Sequence, residues 1–84
     1  MYHGNLMDFL SNLQRYLEKR YPPMYLRWEK RFKNGQKQND KYFIVFGKST
    51  FGNPNFMVAN IHDDNVEDKI YEYINKRLEA EGAR

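Results

Sequence analysis

Residues Tyr42 to Phe46 form an unbroken run of apolar and aromatic side chains, with Lys41 before it and Gly47 after it. The run is too short for a typical helix and is rich in β-branched and aromatic residues, which predicts a β-strand. Because side chains alternate along a strand, such a run places apolar groups on both faces of a sheet. We therefore expect helices to cover one face of the sheet. The other face should contact something that the sequence does not identify.

Two further strands are predicted on either side of this one. Residues 24–32 alternate between apolar and charged side chains, which indicates a strand with one face towards the core. Residues 33–40 contain no apolar side chain, and the turn dipeptide Asn34-Gly35 predicts a flexible connection that closes an antiparallel hairpin. Residues 56–61 are almost wholly apolar and predict the third strand. The core side of the first strand would carry Leu26, Trp28 and Phe32.

A helix is predicted at each end of the chain from apolar residues at helical spacing. The first helix has Asn5 as its N-cap and ends before Pro22-Pro23, because a residue that precedes proline is disfavoured in the α region. The second has Asp64 as its N-cap, with Glu67 three residues later, and Gly82 as its stop signal. The apolar stripes are Leu6, Phe9, Leu10, Leu13, Tyr16 and Leu17 in the first helix, and Val66, Ile70, Tyr73, Ile74 and Leu78 in the second, with Tyr71 beside them.

The order helix, three strands, helix (αβββα) predicts an α+β fold, in which residues 1–84 form a single domain. With short connections, it is a two-layer sandwich whose three-stranded antiparallel sheet carries both helices on one face. Apolar side chains on the uncovered face then favour a protein partner, and a homodimer is the simplest case. The residues that we expect to bind this partner are Tyr25, Tyr42, Ile44, Phe46, Phe56 and Val58.

The charge of the chain is unevenly distributed. Residues 15–48 contain ten basic and three acidic side chains, whereas residues 49–84 contain four basic and seven acidic ones. A basic segment with aromatic residues indicates a contact with nucleic acid or with an acidic protein surface. The residues predicted to make this contact are Arg27, Arg31, Lys33, Lys37, Lys41 and Lys48.

The element order, the length and the sequence Pro23-Met24-Tyr25 at the start of the first strand resemble the double-stranded-RNA-binding domain. The resemblance extends over nearly the whole chain and implies the αβββα fold. That family contacts phosphates through a lysine-rich start of its second helix, but the matching stretch here, Asp63 to Asp68, is mainly acidic. The resemblance therefore implies a protein-docking or dimerisation module. A more distant similarity to HicA-type toxins suggests a small ribonuclease, although their catalytic Gly-x-His segment has no counterpart in the first strand.

Catalytic signals in the sequence are weak. His62 precedes two aspartates, but Asp64 is better explained as a helix cap, and the only other histidine is His3. Residues 47–50 read Gly-Lys-Ser-Thr, like the end of a phosphate-binding loop, but the rest of that motif is missing. The chain has no cysteine, which excludes disulfides and thiolate metal sites. We therefore predict no catalytic residue, metal or cofactor.

These observations together predict a small, non-catalytic interaction module. It would dock on a protein as an adaptor or inhibitor, for example of a nucleic-acid enzyme, and could be encoded by a phage or mobile element. The alternatives are a nucleic-acid-binding domain that uses the basic segment 15–48 and the ribonuclease named above. The first residues resemble neither a secretory signal nor a membrane-spanning segment, so we expect a complete cytoplasmic protein that begins at Met1.

Overall fold

The structure is a computed structural model, and it describes residues 4–48 and 55–82. In chain order the elements are helix α1 (Leu6–Arg20), strands β1 (Tyr25–Lys33), β2 (Gln36–Gly47) and β3 (Met57–Asn60), and helix α2 (Val66–Ala80). The strands pair antiparallel in the order β1-β2-β3, and the helices pack on the sheet. The predicted α+β arrangement of two helices and a three-stranded antiparallel sheet is confirmed.

Helix α1 begins and ends where the sequence predicts. The Asn5 side-chain oxygen accepts a hydrogen bond from the Asp8 N–H at 3.3 Å, so Asn5 is the N-cap. At the other end, the Tyr21 N–H donates to the Leu17 carbonyl at 2.8 Å before the chain turns through the two prolines. The buried stripe consists of Leu6, Leu10, Leu13 and Leu17, whereas Tyr16, predicted to belong to it, is 56% exposed.

The β1–β2 hairpin has a shorter turn and a longer second strand than the sequence predicts. Lys33 pairs with Gln36 across a two-residue turn, in which Asn34 and Gly35 have φ angles of 53° and 77°. Positive φ at both positions is the geometry of a type I′ turn, which Asn-Gly dipeptides favour. The prediction of a flexible connection over 33–40 is therefore wrong, because residues 36–40 belong to β2.

The hairpin is irregular next to its turn. The pairing register shifts between Lys30 and Phe32, where Arg31 alone lies opposite residues 38–41 of β2, an irregularity called here the bulge. Beyond this point Phe32 is 59% exposed, although its alternation with Leu26 and Trp28 predicts a core position. Residues 32–37 are all exposed. The end of the hairpin therefore lies outside the core.

The core lies between the helices and one face of the sheet. Tyr42, Ile44 and Phe46 of β2 are 7%, 0% and 0% exposed, so they are core residues. Our expectation that they face a partner is wrong, because alternation places all three towards the helices. The other buried core residues of the sheet side are Met24, Leu26 and Ala59, and those of α2 are Val66, Ile70, Ile74 and Leu78.

Helix α2 begins one residue later than predicted, with Asn65 rather than Asp64 at the N-cap. The Asp63 carboxylate accepts a hydrogen bond from the Asn65 N–H and pairs with the Lys69 ammonium group. These contacts, the one with Lys69 first, lower the pKa of Asp63. At the C-terminal end, Gly82 has a φ of 69°, which confirms it as the stop signal.

Side chains of both helices also form hydrogen bonds with backbone groups of the sheet. The Gln14 amide of α1 donates to the Leu26 carbonyl at 2.9 Å. From α2, the Tyr73 hydroxyl accepts from the Phe46 N–H at 3.0 Å, and the Arg77 Nε donates to the Phe46 carbonyl at 3.3 Å. The pairing of β3 with β2 ends at Ile44, so Tyr73 and Arg77 satisfy the next backbone groups of β2.

We expect Tyr73→Phe to change how stability depends on alkaline pH. Burial raises the pKa of Tyr73, against the opposing effects of its Phe46 hydrogen bond and the Arg77 charge. A tyrosine whose pKa is raised by folding stabilises the protein below its unfolded pKa of about 10, and this contribution is lost as pH rises through the higher folded value. The variant should lose about 1 kcal/mol at pH 7 through its missing hydrogen bonds, and this deficit should shrink above pH 10.

Urea unfolding at several pH values from 7 to 11 measures this effect. The exposed Tyr16→Phe serves as the control, and its difference from the wild type should stay constant across the range. A constant Tyr73→Phe deficit at all pH values would show that this hydroxyl does not couple to folding.

Candidate functional site on the open face of the sheet

The candidate site is the sheet face opposite the helices, called here the open face. Its apolar centre consists of Phe43 and Val45 from β2, Val58 from β3, and Phe56 just before β3. Phe43 and Val58 are paired across the strands, and the Phe43 and Phe56 rings meet edge to face at 5.1 Å. Phe56 is 54% exposed and Val58 37% exposed. The described part of the chain therefore leaves a continuous apolar patch in contact with solvent.

Strand β1 supplies the charged border of this patch. The Arg31 guanidinium lies 5.6 Å from the centre of the Phe43 ring, and the Arg27 guanidinium lies 5.2 Å from that of Tyr25. Both distances are within the range of cation–π attraction. Glu29 lies between the two arginines in sequence and is paired with Phe43 across the strands. A shallow depression at this place is lined by Arg27, Trp28, Glu29, Phe43 and Val45.

Three of the six predicted partner-binding residues lie on this face. Tyr25, Phe56 and Val58 are exposed here, whereas Tyr42, Ile44 and Phe46 lie in the core. The sequence prediction missed Phe43 and Val45. No pattern within β2 alone distinguishes them, because the alternating set of Tyr42, Ile44 and Phe46 is apolar as well.

The six predicted basic residues do not form a single strip. By alternation Arg27, Arg31 and Lys41 lie on the open face, while Lys33 and Lys37 lie near the turn of the hairpin. Lys48 follows the opposite end of β2. The structure therefore separates a group on the open face from a group at the hairpin end.

The helix side of the molecule also has exposed aromatic rings. Phe9 and Tyr71 meet edge to face at 5.4 Å, and with Asn12, Leu13 and Tyr16 they line a groove between the helices. Tyr71 is 46% exposed and Tyr16 is 56% exposed. This groove has no charged lining residue, and it lies on the opposite side of the sheet from the candidate site.

The possible catalytic residues are solvent-exposed. The His62 Nε2 lies 3.9 Å from an Asp40 carboxylate oxygen, and the two side chains are 56% and 37% exposed. Within residues 4–48 and 55–82, no group of three or more His, Cys, Asp or Glu residues could hold a metal ion. Of the Gly-Lys-Ser-Thr sequence, Ser49 and Thr50 lie outside the described residues, as does His3.

Comparisons of the chain with protein-family models, curated proteins and solved structures gave no match. The similarity to the double-stranded-RNA-binding domain therefore stays a prediction that rests on element order, length and the sequence Pro23-Met24-Tyr25. Neither of the described helices is long and apolar enough to cross a membrane.

Proposed function

We propose that this protein is a non-catalytic interaction module whose open face docks on another protein, in the role of an adaptor or inhibitor. The main supporting observation is the apolar patch of Phe43, Phe56 and Val58, with the Arg31 guanidinium over the Phe43 ring. Protein interfaces are enriched in aromatic residues and arginine, which contribute most of the binding energy at their centres. The partner surface would have an apolar centre and an acidic border that complements Arg27, Arg31 and Lys41.

The charges of β1 favour a protein over a nucleic acid on this face. Glu29 places a carboxylate between Arg27 and Arg31, where it would repel a phosphate backbone that follows the strand. A protein surface can offer a cation to Glu29 and carboxylates to the arginines, so it can match this alternation. Mixed charges of this kind also specify orientation, because wrongly placed like charges disfavour other arrangements.

The simplest partner is a second copy of this chain. In a twofold-symmetric dimer the same patch lies on both sides of the interface, so the phenylalanines would meet at the centre. Glu29 of one copy could then face an arginine of the other copy. We expect the wild-type protein to show a concentration-dependent dimer at high micromolar concentration in sedimentation or light-scattering measurements.

The substitution Val58→Glu should weaken this dimer at least tenfold, since it places an unpaired charge in the apolar centre. Met7→Glu is the matched control, because Met7 is a similarly exposed apolar residue on α1. A strict monomer at high micromolar concentration would eliminate the second copy as the partner. Equal dimerisation of both variants would place the dimer contact elsewhere.

A different protein partner is tested by affinity capture with nuclease-treated lysate from the native host, followed by binding measurements with the purified candidate. The wild-type chain and Met7→Glu should bind it equally, while Val58→Glu should bind at least tenfold more weakly. Binding that is unchanged by Val58→Glu would contradict docking through the open face.

A further inference from the structure

The end of the β1–β2 hairpin has a chemistry that the open face does not share. Residues 33–39 read Lys-Asn-Gly-Gln-Lys-Gln-Asn, so apart from the glycine they are all lysines or carboxamides. The neighbouring Arg31 and Lys41 add further positive charge where the hairpin joins the rest of the sheet. Residues 32–39 contain no carboxylate, and the next one along β2 is Asp40, directly before Lys41, with an oxygen 3.9 Å from His62 Nε2.

The turn and the strand pairing give this segment the shape of a two-stranded β-ribbon. The turn has only two residues, both with positive φ, and Lys33 pairs directly with Gln36. Phe32 pairs with Lys37, and the Lys37 ammonium lies 5.8 Å from the centre of the Phe32 ring. At the bulge, the Lys30 ammonium donates to the Asn39 side-chain oxygen at 3.2 Å. These contacts hold the two strands together, although residues 32–37 are all exposed to solvent.

From this combination we infer that the hairpin end is a binding site for duplex DNA, with the ribbon in the major groove. The major groove is about 12 Å wide and admits a two-stranded β-ribbon. Lysine and arginine bind the phosphates on either side, while asparagine and glutamine side chains match the hydrogen-bonding edges of the bases. The major groove of an RNA duplex is deep and narrow, so the same ribbon cannot enter it. The site shares Arg31 and Lys41 with the border of the open face. It does not rest on the proposed function, because the lysines and carboxamides of residues 33–39 lie outside that face.

The salt dependence of binding tests the phosphate contacts. Four cations, Arg31, Lys33, Lys37 and Lys41, would give a slope of log affinity against log salt near about −3.6. Affinity for a labelled mixed-sequence DNA duplex, measured by fluorescence anisotropy, should then fall about 150-fold between 50 and 200 mM salt. In Lys33→Gln/Lys37→Gln, the slope should flatten by about 1.8, and the same increase in salt should weaken binding only about 12-fold.

The matched control is Lys19→Gln/Lys76→Gln, which makes the same charge change at exposed positions on the two helices. It should keep the wild-type slope, as should Val58→Glu on the open face. Equal flattening by the hairpin and helix variants would show a general charge effect and overturn the site. So would the absence of DNA binding at 50 mM salt.

Two comparisons test the placement in the groove. Gln36→Ala should weaken DNA binding several-fold without changing the salt slope, because its amide would contact bases rather than phosphates. Unchanged affinity of this variant would mean contact with phosphates alone and would overturn the groove placement. A duplex RNA of the same sequence, or polyglutamate of equal charge, should bind at least tenfold more weakly than the DNA. Equal or tighter binding of either one would overturn the assignment to DNA.

Discussion

Leu13→Ala should lower the free energy of unfolding by about 2–5 kcal/mol, the range found for large-to-small substitutions in protein cores. Leu13 is 7% exposed and belongs to the buried stripe of α1. For a domain of this size, each kcal/mol corresponds to about 4–8 °C in melting temperature, so the melting temperature should fall by roughly 8–40 °C. Circular dichroism during heating measures this shift.

A comparison within the same helix sharpens this prediction. Leu13 also lines the groove between the helices, where neighbouring side chains can move into the vacated volume. Leu10 is 0% exposed, so Leu10→Ala should lower the free energy of unfolding by more than Leu13→Ala does. The exposed Arg15→Ala is the control and should melt close to the wild type. A Leu13→Ala protein that melts like the control would mean that this stripe does not pack on the sheet.

The helices and the order of the elements could be predicted because their signals are local. The Asn5 cap and the leucine spacing of α1 depend only on neighbouring residues, and so does the stop at Gly82. The sequence predicts the N-cap of α2 at Asp64, whereas Asn65 occupies it, because several cap-forming residues follow one another there. Such ambiguity of one residue is common at helix ends.

Which face of β2 packs against the helices could not be predicted, because both of its alternating sets of side chains are apolar. Choosing between them requires knowing which set lies opposite the buried Leu26, and that depends on the register of the hairpin. The bulge near Lys30 shifts this register in a way that no local sequence pattern shows. The position of Phe32 was predicted wrongly for the same reason, since alternation was extended through the bulge.

The candidate site was predicted only in part because it is assembled across strands. Arg31 and Phe43 are distant in sequence, and their contact at 5.6 Å exists only once β1 and β2 have paired. The basic segment was predicted as one surface from its sequence. The length of β2 separates Lys37 from Lys48, because each residue of a strand advances the chain by about 3.3 Å.

Phe46→Ala should lower the free energy of unfolding much more than Phe56→Ala, although both remove a phenylalanine ring from the sheet region. Phe46 is 0% exposed, and its loss should cost about 3–5 kcal/mol of unfolding free energy. Phe56 is 54% exposed and contacts Phe43 at its edge, so its loss should cost less than about 1 kcal/mol. Urea unfolding of the two variants under the same conditions measures this contrast.

Measurements of self-association distinguish residues of the core from residues of the docking surface. Phe56→Ala should remain folded and dimerise more weakly than the wild type, since its ring belongs to the apolar centre of the open face. Phe46→Leu keeps an apolar side chain in the core, so it should stay folded and dimerise like the wild type. If Phe46→Leu lost the dimer while Phe56→Ala kept it, the two faces of the sheet would have exchanged roles. In that case the helices would have to move away from the sheet when a partner binds.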